Sequence, residues 1–365
     1  MPILGGSMAQ KNSRPAKAAK PIRSLKKSNN HRIRGLVCGF LGTVFAFAAL
    51  LGTLTRILPE EIQALPYVPV VVSLVPWFAL LAVVALACAA ISKKRLALML
   101  ALLAVGLQVW WQYPFFYNGT KISRAAIAAV SGSTVNTTDD YAKLMTCNVY
   151  KGHADAQEIV DLVRSEHVEV LAMQETTDAF IDELNQAGIG DVLPYSQVSS
   201  SDGVYGNGLW SATPLADPSD DDVDSSASFM PGATIGFNNG ATQVRFVSVH
   251  TTSPTNGYWQ QWKRSLDELA RMRFDTSRRY VFMGDFNATT DHTPLRNMLG
   301  GRFIDAARQS ANGLMFTWPA NINYVPPFAG IDHIILDSGM QAGQTKTVKI
   351  DGTDHKALLT TVQFN

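Results

Sequence analysis

Hydrophobic positions fall into two patterns along the chain. From Gly35 to Leu58, from Val68 to Ile91 and from Leu96 to Gln112, apolar residues follow one another with little interruption. At about 1.5 Å per helical residue, runs of this length suit a hydrocarbon core about 30 Å thick. The third run ends in Trp110, Trp111, Tyr113, Phe115, Phe116 and Tyr117, the aromatic composition of a membrane interface. Three membrane-spanning helices are expected. A single run would also suit a buried core helix or, for the first, a signal peptide. Three in succession argue against both, and the first exceeds an ordinary signal-peptide core.

From Tyr141 onward the pattern becomes short apolar runs between polar loops. Strands are expected at Ala142 to Cys147, Val168 to Met173, Gly208 to Ser211, Val244 to His250, Tyr280 to Met283, Ile331 to Leu336 and Ala357 to Gln363. Helices are expected at Ala154 to Ser165 and Thr177 to Ala187. A further helix at Tyr258 to Phe274 places Trp259, Trp262, Leu266, Leu269 and Met272 on one stripe. Its basic residues Lys263, Arg264, Arg271 and Arg273 could suggest a nucleic-acid surface, but aromatics confined to the apolar stripe indicate a core-packing helix. A mixed α/β domain with one core follows for residues 141–365.

Charge sharpens this division. The net charge of +1 hides a split: 15 of the 31 Lys and Arg, but only 4 of the 30 Asp and Glu, precede residue 141. The first part carries about +11 and the second about −10. The tail 1–34 holds Lys11, Arg14, Lys17, Lys20, Arg23, Lys26, Lys27, Arg32 and Arg34 with no acid, and Lys93, Lys94 and Arg95 form the second loop. Excess Lys and Arg marks the cytoplasmic side, so the tail is expected inside and everything after Gln112 outside, in a protein integral to the cell membrane. Anionic-lipid contact explains such a tail better than a nucleic-acid arm does. Residues 113–140, rich in Ser, Thr, Ala and Gly, read as a linker; its Asn118-Gly119-Thr120 and Asn136-Thr137-Thr138 would accept glycans only in a eukaryotic secretory pathway.

Three Cys residues are too few for a disulfide framework and form no metal pattern. The acidic stretch Asp217 to Asp224 lacks the Gly and Glu of an EF-hand loop and is expected to be a solvated loop. Chemistry is concentrated instead at the ends of the expected strands. Gly284-Asp285-Phe286-Asn287 follows an apolar run, and alternation places Asp285 and Asn287 on one side with Phe286 on the other, so that carboxylate and amide could hold a water. Asn148, Gln174-Glu175, His250, Asp332-His333 and Asp354-His355 occupy similar places. Any one alone would suit a turn.

Taken in order, these stations resemble the endonuclease/exonuclease/phosphatase superfamily of metal-dependent phosphoesterases. The resemblance rests on Thr146-Cys147-Asn148-Val149, Leu171-Ala172-Met173-Gln174-Glu175, Gly206-Asn207-Gly208-Leu209-Trp210-Ser211, Val249-His250-Thr251, Gly284-Asp285-Phe286-Asn287, Phe316-Thr317-Trp318, Ile331-Asp332-His333-Ile334 and Thr353-Asp354-His355. It implies a four-layer α/β/β/α sandwich with the site where strand ends converge. It also implies Mg²⁺, with Mn²⁺ or Ca²⁺ as alternatives, on Glu175 with Asn148 and Asp354. Asp285 would take a proton from the attacking water, Asn287 would orient that water or a phosphate oxygen, and His355, set by Asp332, would act either as the base or to stabilise the charge on the phosphate. His250 would donate to the phosphate or leaving oxygen, and Tyr205 and Asn207 would contact substrate.

The sequence departs from that family in two places. Tyr150 replaces an acidic residue two positions after the first Asn, and Gly330 replaces an Arg before the Ile-Asp pair. His153, His167 and His292 are expected on the surface, and His333 is expected to face away from the site. The implied substrate is a phosphoester: nucleic acid, phospholipid head group or small phosphodiester. Besides the bilayer, no protein partner is expected. The negative domain charge counts against tight non-specific DNA binding. The alternative is an inactive membrane-anchored binding or scaffold protein on the same fold.

Overall fold

The computed structural model describes residues 22–132, 135–223, 225 and 227–365, with side chains from Ile33 onward. The side chains of the basic tail up to Arg32, and Asp224 of the acidic stretch, lie outside the described residues. The N-terminal part holds α1 (Ile22–Leu54), α2 (Glu60–Gln63), α3 (Val68–Ser73), α4 (Phe78–Ser92) and α5 (Arg95–Gln112), with 3₁₀ turns at Thr55–Ile57, Val75–Trp77 and Tyr113–Phe115. Among the described residues, three helical stretches are long and apolar enough to cross a membrane: Ile33–Ile57, Val75–Ser92 and Arg95–Phe115. The second expected run is therefore not one continuous helix. Pro76 lacks an N–H and crowds the turn before it, so α3 separates from α4 near Leu74. The long helices meet through small residues, Ala46 with Ala85 and Ala101, and Ala49 with Ala82 and Ala104. Small side chains allow the close approach that helices need where apolar surface gives no driving force. Gln108 adds polar contacts, donating to Thr53 Oγ1 at 3.0 Å and to the Val75 carbonyl at 2.7 Å.

The stretch expected as a linker is docked onto the domain that follows. It forms α6 (Arg124–Val130), whose Ala126 and Val130 are buried, and Thr120 donates to the Gln309 carbonyl at 2.8 Å. The domain then runs β1 (Tyr141–Asn148), α7 (Ala156–Glu166), β2 (Val170–Gln174), α8 (Asp178–Gln186), β3 (Tyr195–Ser199), β4 (Asn207–Ser211), β5 (Leu215–Ser219), β6 (Gly232–Phe237) and β7 (Thr242–His250). It continues through α9 (Trp259–Arg271), β8 (Tyr280–Asp285), α10 (Thr293–Leu299), β9 (Phe303–Asp305), α11 (Ala306–Ser310), β10 (Asp332–Asp337), β11 (Gln341–Lys349) and β12 (Lys356–Gln363).

These strands form two six-stranded sheets, ordered β11-β12-β1-β2-β4-β3 and β5-β6-β7-β8-β10-β9. In each, one central pair is parallel, β1 with β2 and β7 with β8. Leu144, Ala172, Phe246, Met283 and Leu358 belong to the core between the sheets. Outside the first sheet, α7 and α8 bury Ile159, Val163, Phe180 and Leu184. Outside the second, Trp262, Leu266 and Leu269 of α9 cover Phe282 and Phe286. The expected four-layer sandwich is thus present. Asp155 caps α7 by accepting the Glu158 N–H, and Thr177 caps α8 by accepting that of Phe180.

Two sequence expectations are corrected. The acidic stretch is not simply a solvated loop: it begins inside β5, and Asp222 grips the buried Arg245 guanidinium at 2.5 and 2.7 Å. His292 is not a surface residue but fully buried. Its Nδ1 accepts the Thr289 N–H at 2.9 Å, so its Nε2–H donates to the Pro69 carbonyl at 3.0 Å. The covering segment lies far away in the chain, and burial lowers the imidazole pKa to about 4. His153 is exposed and His167 half-buried.

Candidate active site

Both sheets send their chemistry to one end. Asn148 closes β1, Glu175 follows β2, His250 closes β7, Asp285 closes β8, Asp332 opens β10 and His355 precedes β12. Register aligns them, since His250 and Asp332 lie beside Asp285 on its two sides in the second sheet. Between the sheets, buried Gln174 accepts from Thr146 at 3.2 Å and donates to Ser248 at 3.1 Å. This cross-sheet bridge, which residue types alone do not single out, lies just behind the site.

Asp285 is the centre. Its Oδ1 accepts the Asn287 backbone N–H at 2.8 Å, and its Oδ2 accepts from the amides of Asn148 at 3.1 Å and Asn287 at 3.4 Å. Nε2 of His355 stands 3.7 Å from Asp285 Oδ2, and Nε2 of His250 stands 3.8 Å from it. On its far side His355 Nδ1 meets Asp332 Oδ2 at 2.8 Å, so the ring is aimed with Nε2 toward Asp285. A backbone reason makes residue 284 glycine: its φ is +152°, and a Cβ there would lie 1.9 Å from the Val249 carbonyl oxygen of β7. Glu175 and Asn287 adopt positive φ values of 61° and 47°, a conformation costly for residues with a side chain and concentrated at functional sites.

Burial sets the charges. It raises the Asp285 carboxyl well above the usual range despite the nearby His355 cation, and it raises Glu175 as well. His250 is pushed down to about 4 by burial and then by the charge of His355. For His355, burial opposes protonation, but Asp332 and Asp285 outweigh it and raise the ring well above its ordinary value. The arrangement favours a cationic His355 between two carboxylates, beside a neutral His250.

The carboxylates also fit a cation. Glu175 Oε2 and Asp354 Oδ1 are buried and have no hydrogen-bond partner, whereas their other oxygens take Asn148 Nδ2 at 3.2 Å and Trp318 Nε1 at 3.2 Å. Orphaned carboxylate oxygens at that depth are costly unless something positive meets them. Asn148 differs from Glu175 and Asp354: its Oδ1 already accepts the Tyr150 N–H at 2.9 Å and its amide nitrogen bridges Glu175 and Asp285. Its amide oxygen keeps a second lone pair, so these bonds leave a place in a cation's shell open. Ligating atoms of Asp285, Asp332 and His355 also lie within 4.8 Å of one another.

The remaining expected residues lie at the margin. Tyr205 is about half exposed, and Asn207 is fully buried with its amide nitrogen on the Phe229 carbonyl. His333 faces away, as alternation requires, with Nδ1 on Asp305 at 2.6 Å and Nε2 on the Ala288 carbonyl at 2.8 Å. Two residues of the quoted stations had no role assigned from the sequence. Thr251 holds Asn287 through its carbonyl at 2.9 Å, and Trp318 holds Asp354.

Two packed sheets with an Asp-His-Asp relay beside cation-ready carboxylates define a metal-dependent phosphoester hydrolase. The chain belongs to the Endonuclease/Exonuclease/phosphatase family, whose model matches residues 145–355. No curated protein matches it. Among solved structures, D. rerio TDP2 complexed with a single-strand DNA product is 17% identical, covering 61% of this chain and 99% of its own, with a TM-score of 0.51. A humanized D. rerio TDP2 is 16% identical over 61% of this chain and 99% of its own, with a TM-score of 0.52. A 3′ phosphatase from Neisseria, NExo, bound to a product DNA hairpin, is 15% identical over 60% of this chain and 98% of its own, at 0.50. At this identity these structures show the common fold.

Proposed function

We propose that the protein is a membrane-tethered, extracytoplasmic phosphodiesterase that uses Mg²⁺ to hydrolyse a P–O bond by in-line attack of water. The observation that carries this reading is the pair of buried oxygens of Glu175 and Asp354 without a hydrogen-bond partner, that of Asp354 3.9 Å from His355 Nε2, beside the Asp332-His355-Asp285 chain. Hard oxygen donors suit Mg²⁺, with Mn²⁺ or Ca²⁺ as weaker fits. A bound cation there would offset the charge that grows on the phosphate.

The chain's own residues do the rest. Asn287, its amide nitrogen committed to Thr251, orients the water through its amide oxygen, and Asp285 accepts the water's proton. His355 and His250 present Nε2 atoms toward the same carboxylate and so toward a phosphate bound over it, where they stabilise its developing charge. Asp332 keeps His355 in the donating orientation. Tyr205 at the rim contacts the substrate, and Asn207 shapes that rim from below. The convergence of all these groups counts against an inactive scaffold. Three apolar helices and the basic tail support the tether and its orientation.

The test uses the full chain in detergent with Mg²⁺ and a panel of plasmid DNA, RNA, phospholipid and bis(p-nitrophenyl) phosphate. Turnover that disappears with chelator and in Asp285→Ala is expected. A folded, cation-binding protein that turns over none of the panel would overturn the reading. Orientation is checked with a reporter fused after Asn365, for which a cytoplasmic signal is the contrary result.

A further inference from the structure

An uncharged, partly exposed loop joins the site to the heads of the membrane helices. No Asp, Glu, Lys or Arg occurs between Arg308 and Asp332 in a domain otherwise rich in charge. Ile322 is 51% exposed, Val325 41%, and Tyr324 fully. The three apolar helices end on the side where the domain sits, at Ile57, Val75 and Phe115. Trp77, at the head of the second, stacks on Phe316 with ring centroids 5.3 Å apart and donates to the Phe328 carbonyl at 2.8 Å. Phe115, at the end of the third, accepts the Gly313 N–H through its carbonyl at 2.7 Å. Both roots of the loop are thus fastened where the helices leave the bilayer.

The same loop braces the site. Ala320 donates to the Asp354 carbonyl at 2.7 Å, Trp318 to the Asp354 carboxylate, and Lys356 to the Thr317 carbonyl at 2.9 Å. Exposed Ile, Tyr and Val in a stretch with no charged residue of its own is a composition that water penalises and a head-group interface accepts.

We propose that the loop from Pro319 to Phe328 seats in the bilayer surface and that the site hydrolyses a phosphoester in the head group of a membrane lipid. The substrate part rests on the phosphodiesterase reading above; the seating does not. A soluble phosphodiester needs only the site, whereas a lipid needs the site held at head-group depth. The loop supplies that, because its anchorage at Trp77 and its contacts to Asp354 are a few residues apart.

Two measurements on the full chain in phospholipid vesicles separate these parts. With Cys38, Cys88 and Cys147 changed to Ser, Tyr324→Cys carrying an environment-sensitive fluorophore is compared with Tyr195→Cys, which lies on the outer strand β3 and is 40% exposed. Quenching by spin-labelled lipid at position 324 and not at 195 is expected; equal, water-like signals would overturn the seating. Ile322→Ser, Tyr324→Ser and Val325→Ser combined should slow hydrolysis of vesicle phospholipid at least tenfold and leave bis(p-nitrophenyl) phosphate unaffected. Unchanged lipid turnover would overturn the loop's part in lipid hydrolysis, and a wild type that cleaves bis(p-nitrophenyl) phosphate but no vesicle phospholipid would overturn the substrate assignment. A quenched label in a protein that cleaves no phosphoester would support the seating and overturn the hydrolase reading.

Discussion

Removing the Arg56 side chain should loosen the loop that follows Asn287. Arg56 leaves the end of the first apolar helix and pairs with Asp291, whose carboxylate is only about 2–3% exposed. It also donates to the Thr290 carbonyl at 3.3 Å and lies over the Trp111 ring, while Arg296 returns a bond to the Arg56 carbonyl at 2.7 Å. Two nearby contacts cross the same boundary: His292 to Pro69, and the Thr293 N–H to Gln63 Oε1 at 3.1 Å. Arg56→Ala leaves Asp291 buried without its cation, a loss of about 3–5 kcal/mol when one partner of a buried pair is removed. Arg296, bound to the Asp291 carbonyl, relieves part of it, which places the expectation near 3 kcal/mol. Because the other two contacts persist, the loss should appear as local opening rather than global unfolding. At about 1.4 kcal/mol per tenfold, amides of residues 286–293 should exchange about a hundredfold faster. Hydrogen exchange read by mass spectrometry on the full chain in detergent makes the comparison, with Arg56→Lys as the milder variant. Exchange within threefold of wild type would refute the idea that the N-terminal apolar helices clamp this loop.

Other outcomes follow from single contacts. Asp332→Asn should lower kcat on a soluble phosphodiester by about two to four orders of magnitude with little change in KM, because His355 loses the carboxylate that fixes its ring. Glu169 has a buried oxygen without a partner, and burial raises its carboxyl to about 9. A carboxyl raised in the folded state costs stability progressively as pH climbs from the unfolded value near 4.5 toward 9. Glu169→Gln should therefore stabilise the protein at pH 8 by on the order of 2 kcal/mol and lose that advantage toward pH 4, as read from unfolding midpoints.

The site was legible because its residues stand at the ends of apolar runs, and a run of Val, Ile, Leu or Met fixes both a strand and the side on which its last polar residue emerges. Asn148, Glu175, His250, Asp285 and His355 all follow that rule. Strands without such runs were not legible: β3 is half exposed, β5 contains Asp217 and Pro218, β6 holds two glycines, β9 is three residues long, and β11 is largely polar. Each is completed by pairing with a neighbour rather than by its own pattern. His292 looked superficial for a related reason. Its local surroundings, Thr289-Thr290-Asp291, are polar, and the distant Gln63–Pro69 segment and the Trp262 ring cover it. Likewise, the bonds of Asn148 to the Tyr150 N–H and to two carboxylates are encoded by no spacing.

The proposed hydrolysis depends on a divalent cation on Glu175 and Asp354 that works with the Asp332-His355-Asp285 chain. It is tested most directly by the rate of bis(p-nitrophenyl) phosphate hydrolysis by the full chain with Mg²⁺, with chelator, and in Glu175→Gln with Mg²⁺. Removing the charged ligand or the cation should each lower the rate at least a hundredfold, with activity restored when Mg²⁺ is returned to the wild type. Hydrolysis that persists in both conditions would contradict the account.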